Sequence, residues 1–430
     1  MSEIRAFPAI RYATIPAGRD LSTRLAPPYD VLDGEDKRAL LERDPRNFVK
    51  IDLPHVPPKN AGPEEAYAAA SRQLNAWLAD GTLVRDAEPA VYVYHQHYQH
   101  AGTKYVRKMF FARLRLEPFA TGSVFPHERT FGGPKEDRLC LTKATRANLS
   151  PIFGLYQDAS NRVAGRLEQS LGVEPPAIGT LDGVENRIWA VADPATIDEV
   201  AGLVRAKATY IADGHHRYGT GMMYRDWLIG QEGALPDEHP ANFVLCVFCA
   251  MEDPGLLILP THRVLPGVAV AADMFEADER VEVVPLEAGH PEEVVGQLEP
   301  LGPQAVAVYT ANGRGHFALR PRQRGILDDL EPDRSAAWRA LGLAFLHAYL
   351  LDRVVTPKLC GATSAAVRYV KSAAAAIGEA DQTNGTAFLM QATTMEELRG
   401  VCEAADLMPQ KSTYFYPKLA SGLVINPLTQ

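Results

Sequence analysis

The pattern of hydrophobic and polar residues predicts an α+β protein. Residues 90–100 and 105–116 alternate between apolar and polar positions with Gly102 between them, which predicts a β-hairpin. Apolar residues in 63–79 recur at helical spacing and Gly81 follows them, so we expect an amphipathic helix that ends there. Both periods in one chain are typical of sheets with helices packed on them.

Further segments follow one or the other period. Strands are predicted over 48–53, 187–191, 210–212, 243–250, 256–259, 280–286, 304–309, 316–319, 367–370 and 386–391. Helices are predicted over 34–43, 158–171, 195–206, 291–298, 336–351 and 394–407. Strands and helices alternate through the middle of the chain, which indicates an α/β arrangement there.

The length of the chain predicts several domains. A chain of 430 residues is too long for one small core, and length alone suggests two or three domains. The order of predicted elements divides the chain into an N-terminal α+β region over 1–110, a core over 111–265, a small α/β insert over 266–335 and a C-terminal α/β region over 336–430.

Charge and cysteine content narrow the class of protein. The net charge of −9 argues against a general nucleic-acid binder, which carries a basic face. The chain has no apolar run long enough for a membrane span and no signal-peptide pattern at its start, so we expect a cytoplasmic protein. The sparse cysteines suit reduced thiols in that compartment: Cys140, Cys246, Cys249, Cys360 and Cys402. Cys246 and Cys249 have CxxC spacing, but no second pair completes a zinc site, and we interpret them as core thiols.

The segment 209–220 carries the strongest candidate chemistry. A short apolar run meets Asp213 and Gly214, and His215, His216 and Arg217 follow where a helix is predicted to begin. The first turn of a helix has unpartnered N–H groups and a partial positive charge, so it readily binds phosphate or another anion. The alternative is structural, because a His-Arg pair can also cap a helix and hold an aspartate in an ion pair.

The run 213–218 resembles the signature of the ParB/sulfiredoxin superfamily, which includes sulfiredoxins, ParB nucleotide-binding domains and free-serine kinases. In those proteins a similar turn before a helix holds nucleotide phosphates, and His216 with Arg217 matches the family's His-Arg pair. His215 stands where sulfiredoxins carry a reactive cysteine, so sulfiredoxin chemistry is not expected. The resemblance implies a ParB/sulfiredoxin-like core with additional α/β elements on both sides.

A second resemblance extends over the whole chain. Five blocks in the same order resemble a large prokaryotic family of unknown function, namely 27–31, 126–130, 212–218, 260–263 and 408–418. This resemblance implies no activity, so candidate function must come from the chemistry of the residues.

The residues favour nucleotide-dependent transfer of a phosphoryl group to a hydroxyl of a small metabolite. The residues expected to bind the cofactor, ATP or ADP with Mg²⁺, are Gly214, His215, His216, Arg217 and Tyr218. The catalytic candidates are Glu128, Asp213, His215 and Asp30, with Glu128 preferred as the proton acceptor. The candidates for substrate binding are His127, Arg129, Thr130, His262, Arg263, Lys411 and Ser412. The resemblance to free-serine kinases makes an amino acid such as serine the first acceptor to consider.

Other interpretations stay open. The same motif would serve a phosphatase or nucleotide hydrolase, or a nucleotide-gated binding module without catalysis. Lys411 and Ser412 lack the glycine loop of a Walker motif, and their segment suits either a site cover or a packed strand. His95 and His97 share one face of a predicted strand, where we favour a solvated sheet edge over a zinc site. We predict no dedicated metal site, and the oligomeric state is left open.

Overall fold

The computed structural model describes residues 2–14, 18–119, 122–129, 132–287, 289–311, 316–360 and 366–429. Its strands are β1 (Ile4–Arg5), β2 (Ile10–Tyr12), β3 (Leu83–Arg85), β4 (Val91–His100), β5 (Thr103–Arg115), β6 (Val124–Phe125), β7 (Ala147–Asn148), β8 (Ile152–Tyr156), β9 (Ala177–Leu181), β10 (Val184–Val191), β11 (Thr209–Asp213), β12 (Phe243–Ala250), β13 (Leu257–Leu259), β14 (His262–Leu265), β15 (Val281–Pro285), β16 (Val306–Thr310), β17 (His316–Pro321), β18 (Arg368–Val370), β19 (Thr386–Leu389), β20 (Tyr414–Tyr416) and β21 (Asn426–Pro427).

The α-helices are α1 (Gly34–Arg43), α2 (Val49–Asp52), α3 (Glu64–Ala79), α4 (Gly132–Thr145), α5 (Arg162–Glu168), α6 (Pro194–Arg205), α7 (His215–Glu232), α8 (Asp273–Glu276), α9 (Pro291–Gly296), α10 (Ala336–Arg339), α11 (Gly342–Ala344), α12 (Ala373–Thr383) and α13 (Met395–Glu403). A π-helical segment, Phe345–Cys360, follows α11. Short 3₁₀ turns are Tyr29–Val31, Pro240–Asn242 and Glu299–Leu301. The mixture of helices and sheets confirms the predicted α+β class.

The chain forms two compact units. The first comprises Met1–Leu257 with Pro417–Gln430, and the second comprises Ile258–Tyr416. The strand β5 crosses the boundary predicted between residues 110 and 111. The finer division of the chain into four regions stays a prediction.

A mixed sheet organises the first unit. Its strands lie in the order β6-β11-β8-β12-β5-β4-β10-β9, and β1 pairs with β5. The predicted hairpin is confirmed, since β4 and β5 pair from Tyr92 opposite Phe111 to His100 opposite Thr103. Apolar side chains from these strands form one buried cluster with residues of α6 and α7, and this core fixes the direction in which β11 leads into α7.

Two sequence predictions within this unit are wrong. The segment predicted as a strand over 48–53 contains the helix α2 (Val49–Asp52) instead. The Asn47 carboxamide accepts a hydrogen bond from the Val49 N–H at its start and donates to the carbonyl of Leu25. His95 does not lie on a solvated edge, since β4 is flanked by β5 and β10 and His95 is only 7% exposed. Its Nε2 lies 2.8 Å from Oε1 of Glu168.

The second unit contains an antiparallel sheet in the order β15-β17-β16-β19-β14-β18. Alanines of α12 pack on this sheet in a buried cluster. The single helix predicted over 336–351 is wrong, because the chain leaves helical geometry at Leu341 between α10 and α11. Gly342 packs so closely that a Cβ there would lie 2.6 Å from the Pro303 carbonyl oxygen.

Two general features bear on function. Among the described residues, no helix combines the length and the apolar character that crossing a bilayer requires. Cys246 and Cys249 are both fully buried in β12, and burial raises the pKa of each thiol well above its ordinary value.

Candidate anion-binding site

The turn between β11 and α7 is the centre of the candidate site. The strand ends at Asp213, and α7 begins at His215 and continues for 18 residues. Gly214 between them has φ +91°, a left-handed conformation that favours glycine. A Cβ at this position would lie 3.1 Å from the Cα of Ile152 and 3.1 Å from Nε of Arg217. Glycine is therefore required here both by backbone conformation and by space.

The carboxylate of Asp213 joins two cations. Its Oδ1 accepts a hydrogen bond from Nη2 of Arg217 at 3.1 Å, and its Oδ2 accepts one from Nζ of Lys418 at 2.5 Å. Burial opposes the charged form of Asp213, but Lys418 and Arg217 outweigh burial and hold its pKa below the usual range. An anion held this way does not suit the predicted role of general base. We call these three residues the ion triad.

Lys418 reaches the triad because the backbone beside it is anchored to the sheet. Arg107 on β5 is fully buried and donates from Nη2 to the carbonyl of Pro417 at 2.6 Å. Gln96 on β4 donates from Nε2 to the Lys418 carbonyl at 3.0 Å and also contacts the Arg107 guanidinium. Arg107 and Gln96 on the sheet thus hold the adjacent carbonyls of Pro417 and Lys418. The backbone is fixed at this point, and the Lys418 side chain reaches Asp213 from it.

Two buried histidines lie directly behind the turn. The Nε2 of His215 accepts a hydrogen bond from the backbone N–H of His127 at 3.1 Å, so this nitrogen carries no proton. Nδ1 of His127 lies 2.7 Å from the Ile211 carbonyl, and the two imidazole rings meet edge to face. Burial lowers the pKa of both histidines, and His127 lowers the pKa of His215 further. This pair supports the turn from the protein side.

The accessible rim of the turn contains His216, Glu128 and Asp30. His216 is half-buried, and burial lowers its pKa while Glu128 and Asp30 oppose that shift. Glu128 also approaches His127, with 4.0 Å between its Oε1 and Nε2 of the ring. Asp30 is exposed and acts electrostatically on Arg217 and Lys418. Glu128, the preferred proton acceptor, and Asp30, a further catalytic candidate, therefore lie near the first turn of α7.

The remaining predicted residues of the first unit have different surroundings. Tyr218 is fully buried, and its hydroxyl bonds both the N–H and the carbonyl of Glu117 at 2.8 Å. That position suits packing of α7 rather than contact with a cofactor. Arg129 is exposed. Thr130 lies outside the described residues.

The other predicted substrate residues belong to the second unit. His262 is fully buried, its Nδ1 accepts from the Met390 N–H at 3.0 Å, and burial lowers its pKa to about 4. Arg263 is fully buried and donates to the carbonyls of Gln410 and Lys411. Ser412 is buried and donates to the Pro409 carbonyl, whereas Lys411 is exposed. Arg263 therefore anchors the 410–411 backbone, which suits a structural role better than substrate binding.

Sequence reasoning missed several residues of the site. Lys418 is separated from Asp213 by 205 positions, and the only signal for it was a lysine within an aromatic segment. Lys135 on α4 lies across Gly219 of α7, since a Cβ at Gly219 would be 3.1 Å from the lysine Cδ. Lys135 also acts electrostatically on His216. A side chain at 219 would therefore crowd this lysine beside the first turns.

The site offers no dedicated metal centre within the described part of the chain, where no group of three or more His, Cys, Asp or Glu side chains could hold a metal ion. A metal that arrived with a phosphate ligand needs fewer protein ligands, because Mg²⁺ commonly takes one or two carboxylates together with phosphate oxygens.

Most of the chain matches one described protein family. Residues 4–343 match the family described as "Protein of unknown function (DUF1015)". The chain belongs to this family. The match confirms the predicted resemblance to a family of unknown function and includes four of the five sequence blocks, whereas the block 408–418 lies beyond the matched residues. The family brings no activity with it. A comparison with curated proteins gave no match.

Several solved structures are similar to this member of the family. A conserved hypothetical protein from Pyrococcus furiosus is 14% identical, with 71% of this chain and 92% of that chain covered and a TM-score of 0.30. A variant of a free serine kinase in complex with ADP is 14% identical, with coverage of 70% and 89% and a TM-score of 0.33. C-terminally truncated SbnI from Staphylococcus aureus is 11% identical, with coverage of 74% and 87% and a TM-score of 0.34. Similarities at this level do not assign a function to this chain.

Proposed function

We propose that this protein binds the phosphates of a nucleotide at the β11–α7 turn and transfers a phosphoryl group to a hydroxyl of a small metabolite. The observation that carries the proposal is the meeting of a long helix N-terminus, a glycine cap and the cations Arg217 and Lys418 at one turn. Gly214 caps α7 without a side-chain hydrogen bond, so no cap side chain competes for the N–H groups of the first turn.

Arg217 has donors to offer a ligand in addition to its structural bonds. Its described hydrogen bonds go to the Pro151 carbonyl and to Asp213, which use two of the five N–H groups of a guanidinium. His216 and Lys135 add polar groups at the accessible side of the first turn. The buried pair of His127 and His215 supports the turn and would not contact phosphate.

Glu128 is the preferred proton acceptor. It is half-buried, and it is near both His127 and His216, so it can receive the hydroxyl proton beside the bound phosphates. Asp213 is reassigned as a positioning residue, because the two cations keep it ionised and occupied. Asp30 is a second accessible carboxylate at the same turn.

The chemistry of this rim is compatible with ATP or ADP accompanied by Mg²⁺. Asp30 is the carboxylate that would hold the ion, because Glu128 is assigned to the hydroxyl proton, and the ion would supply charge neutralisation to the phosphates. The motif-level resemblance to the ParB/sulfiredoxin superfamily and its free-serine kinases agrees with this assignment. Serine is therefore the first acceptor to test, and a cytoplasmic location suits a small-metabolite kinase.

Nucleotide-induced thermal stabilisation tests the binding half of the proposal. We expect ADP with Mg²⁺ to raise the melting temperature of the wild type and to have little effect on Arg217→Gln. Arg225→Gln is the matched control, because Arg225 lies two turns further along α7 and donates to the Leu116 carbonyl instead. Equal stabilisation of wild type and Arg217→Gln would refute the phosphate role of this turn.

Turnover assays test the catalytic half. With ATP and serine, we expect phosphorylated product from wild type and a loss of at least a hundredfold in kcat for Glu128→Gln, in line with the usual contribution of about 10² to 10⁴ from acid–base catalysis. Release of inorganic phosphate without an acceptor would instead identify a hydrolase. Nucleotide binding without turnover of any kind would identify a binding module.

A further inference from the structure

Arg217 also forms part of the wall of a polar cavity. It has a volume of about 390 Å³, including the part open to solvent, and its polar walls include Tyr29, Asp52, Arg138, Ser150, Arg217 and Thr220. All of these residues belong to the first unit.

Asp52 supplies a carboxylate to the wall of this cavity. It ends the helix α2 and is 3% exposed. Its Oδ2 accepts a hydrogen bond from the Ser150 hydroxyl at 2.6 Å, and Nη1 of Arg138 lies 3.6 Å from its Oδ1, beyond hydrogen-bond distance. Burial raises the pKa of Asp52, and Arg138 only partly offsets that effect. One carboxylate oxygen is thus left without a hydrogen-bond donor among the described residues.

Arg138 is held in place by Asp52 and by other partners, and its Nη1 donates to the Asp52 carbonyl at 2.6 Å. Its Nε and Nη2 donate to Oδ2 of Asp137 at 2.8 Å and 2.6 Å, and its guanidinium lies 3.9 Å from the centre of the Tyr29 ring. The other oxygen of Asp137 accepts from the Tyr67 hydroxyl at 2.7 Å. Asp137 is therefore fully engaged by its neighbours, and Asp52 is the carboxylate that this wall presents to a ligand.

The walls consequently combine one available carboxylate with two guanidinium groups. A phosphate or other simple anion would meet Asp52, and a simple cation would meet Arg138 and Arg217. A molecule that carries both charges can pair its cation with the carboxylate and its anion with a guanidinium group, and buried charges are stable only when they are paired. We propose that this cavity binds a small zwitterion, whose ammonium contacts Asp52 and whose anionic group faces the guanidinium of Arg217.

A zwitterion bound here would lie beside the residue that connects the cavity to the nucleotide turn. Its further role as the phosphoryl acceptor rests on the proposed function. The binding of the zwitterion does not rest on the proposed function, because Asp52, Ser150 and Arg138 form the cavity wall without any nucleotide.

Isothermal titration of the full chain with the twenty protein amino acids tests the charge argument. Acetate and methylammonium serve as matched probes that carry only one sign of charge. We expect at least one amino acid to bind ten times more tightly than either of these two probes. The proposal is overturned if no amino acid binds, or if acetate or methylammonium binds as tightly as the best amino acid.

Variants then locate the site. Asp52→Asn should weaken amino-acid binding at least tenfold, and Ser150→Ala, a smaller change that leaves the carboxylate in place, should weaken it several-fold. Asp86→Asn is the control, because Asp86 is a carboxylate paired with Arg11 elsewhere in the same unit. Amino-acid binding at wild-type strength in either Ser150→Ala or a folded Asp52→Asn contradicts the assignment.

The ADP-induced thermal shift separates this inference from the proposed function. We expect Asp52→Asn to keep the ADP shift of the wild type while it loses the amino acid. If wild type binds an amino acid through Asp52 but ignores ADP, the cavity assignment stands and the nucleotide proposal fails. If ADP binds and no amino acid does, the reverse holds.

Discussion

Replacement of Lys418 by Met should destabilise the first unit by removing one cation of the ion triad. Nζ of Lys418 lies 2.5 Å from Oδ2 of Asp213, and the two side chains are 28% and 24% exposed. At an effective dielectric constant of about 20, two unit charges at this distance attract by about 7 kcal/mol. Burial of two ions costs several kcal/mol and offsets most of that attraction. Because Arg217 still faces Asp213, we expect a net loss of about 2 kcal/mol in the free energy of unfolding.

A double-mutant cycle of Lys418→Met and Asp213→Asn, measured by urea denaturation at pH 7, isolates this interaction. We expect a coupling energy of about 2 kcal/mol between the two positions. Lys37→Met is the matched control, because the Lys37 ammonium donates to the Pro54 carbonyl and has no carboxylate partner among the described residues. A coupling energy below about 0.5 kcal/mol, within the range of independent sites, would refute the ion triad as a stabilising unit.

The same cycle has a defined pH dependence. The folded-state pKa of Asp213 is lowered, so the stabilisation that it provides is present above the unfolded pKa, about 3.9, and is lost as pH falls through the folded value. The coupling energy should therefore be constant between pH 5 and 8 and decrease only in strong acid.

Two further predictions concern the turn itself. Gly214→Ala should lower the free energy of unfolding by about 1 to 2 kcal/mol, because it places a Cβ in a left-handed conformation at φ +91°. Gly230→Ala in α7 has open space around the new Cβ and should raise the free energy of unfolding by about 0.5 to 1 kcal/mol. Chemical denaturation of both variants checks this contrast. Burial lowers the pKa of His127 and His215 in the folded state, so below the pKa of the unfolded chain, about 6.5, the unfolded state binds more protons than the folded state. The free energy of unfolding should therefore decrease below pH 6.5, by up to about 1.4 kcal/mol per histidine for each pH unit. His215→Gln should reduce that slope between pH 6.5 and 5, and an unchanged slope would show that His215 does not titrate on unfolding.

Local patterns in the sequence were sufficient for the elements that position the site. Alternation predicted the β4–β5 hairpin, and the Asp-Gly step followed by polar residues predicted the start of α7. The strand expected over 48–53 was wrong because Asn47 bonds residues that are distant in sequence, and these bonds outweigh the local alternation. Propensity describes one segment at a time and contains no information about such partners.

The composition of the site was harder to predict for the same reason. Asp213 and Arg217 are four positions apart and could be recognised as a pair. Lys418 is brought to them by Arg107 and Gln96, and no local pattern connects those positions. Residues that resemble site residues by type, such as Arg263 and Tyr218, instead bond backbone carbonyl groups within the packed interior. A single sequence does not distinguish a buried arginine that anchors backbone from one that awaits a ligand.

The hydrogen bond from Arg107 to the Pro417 carbonyl affects how the chain folds during its synthesis. The first unit is completed by Pro417–Gln430, which are synthesised after the whole of the second unit. While the ribosome is still translating the second unit, Asp213 has Arg217 as its neighbour but not Lys418. A nascent chain therefore carries an incomplete turn, and Arg107 and Gln96 can bind the two adjacent carbonyls only after Pro417 and Lys418 have been made.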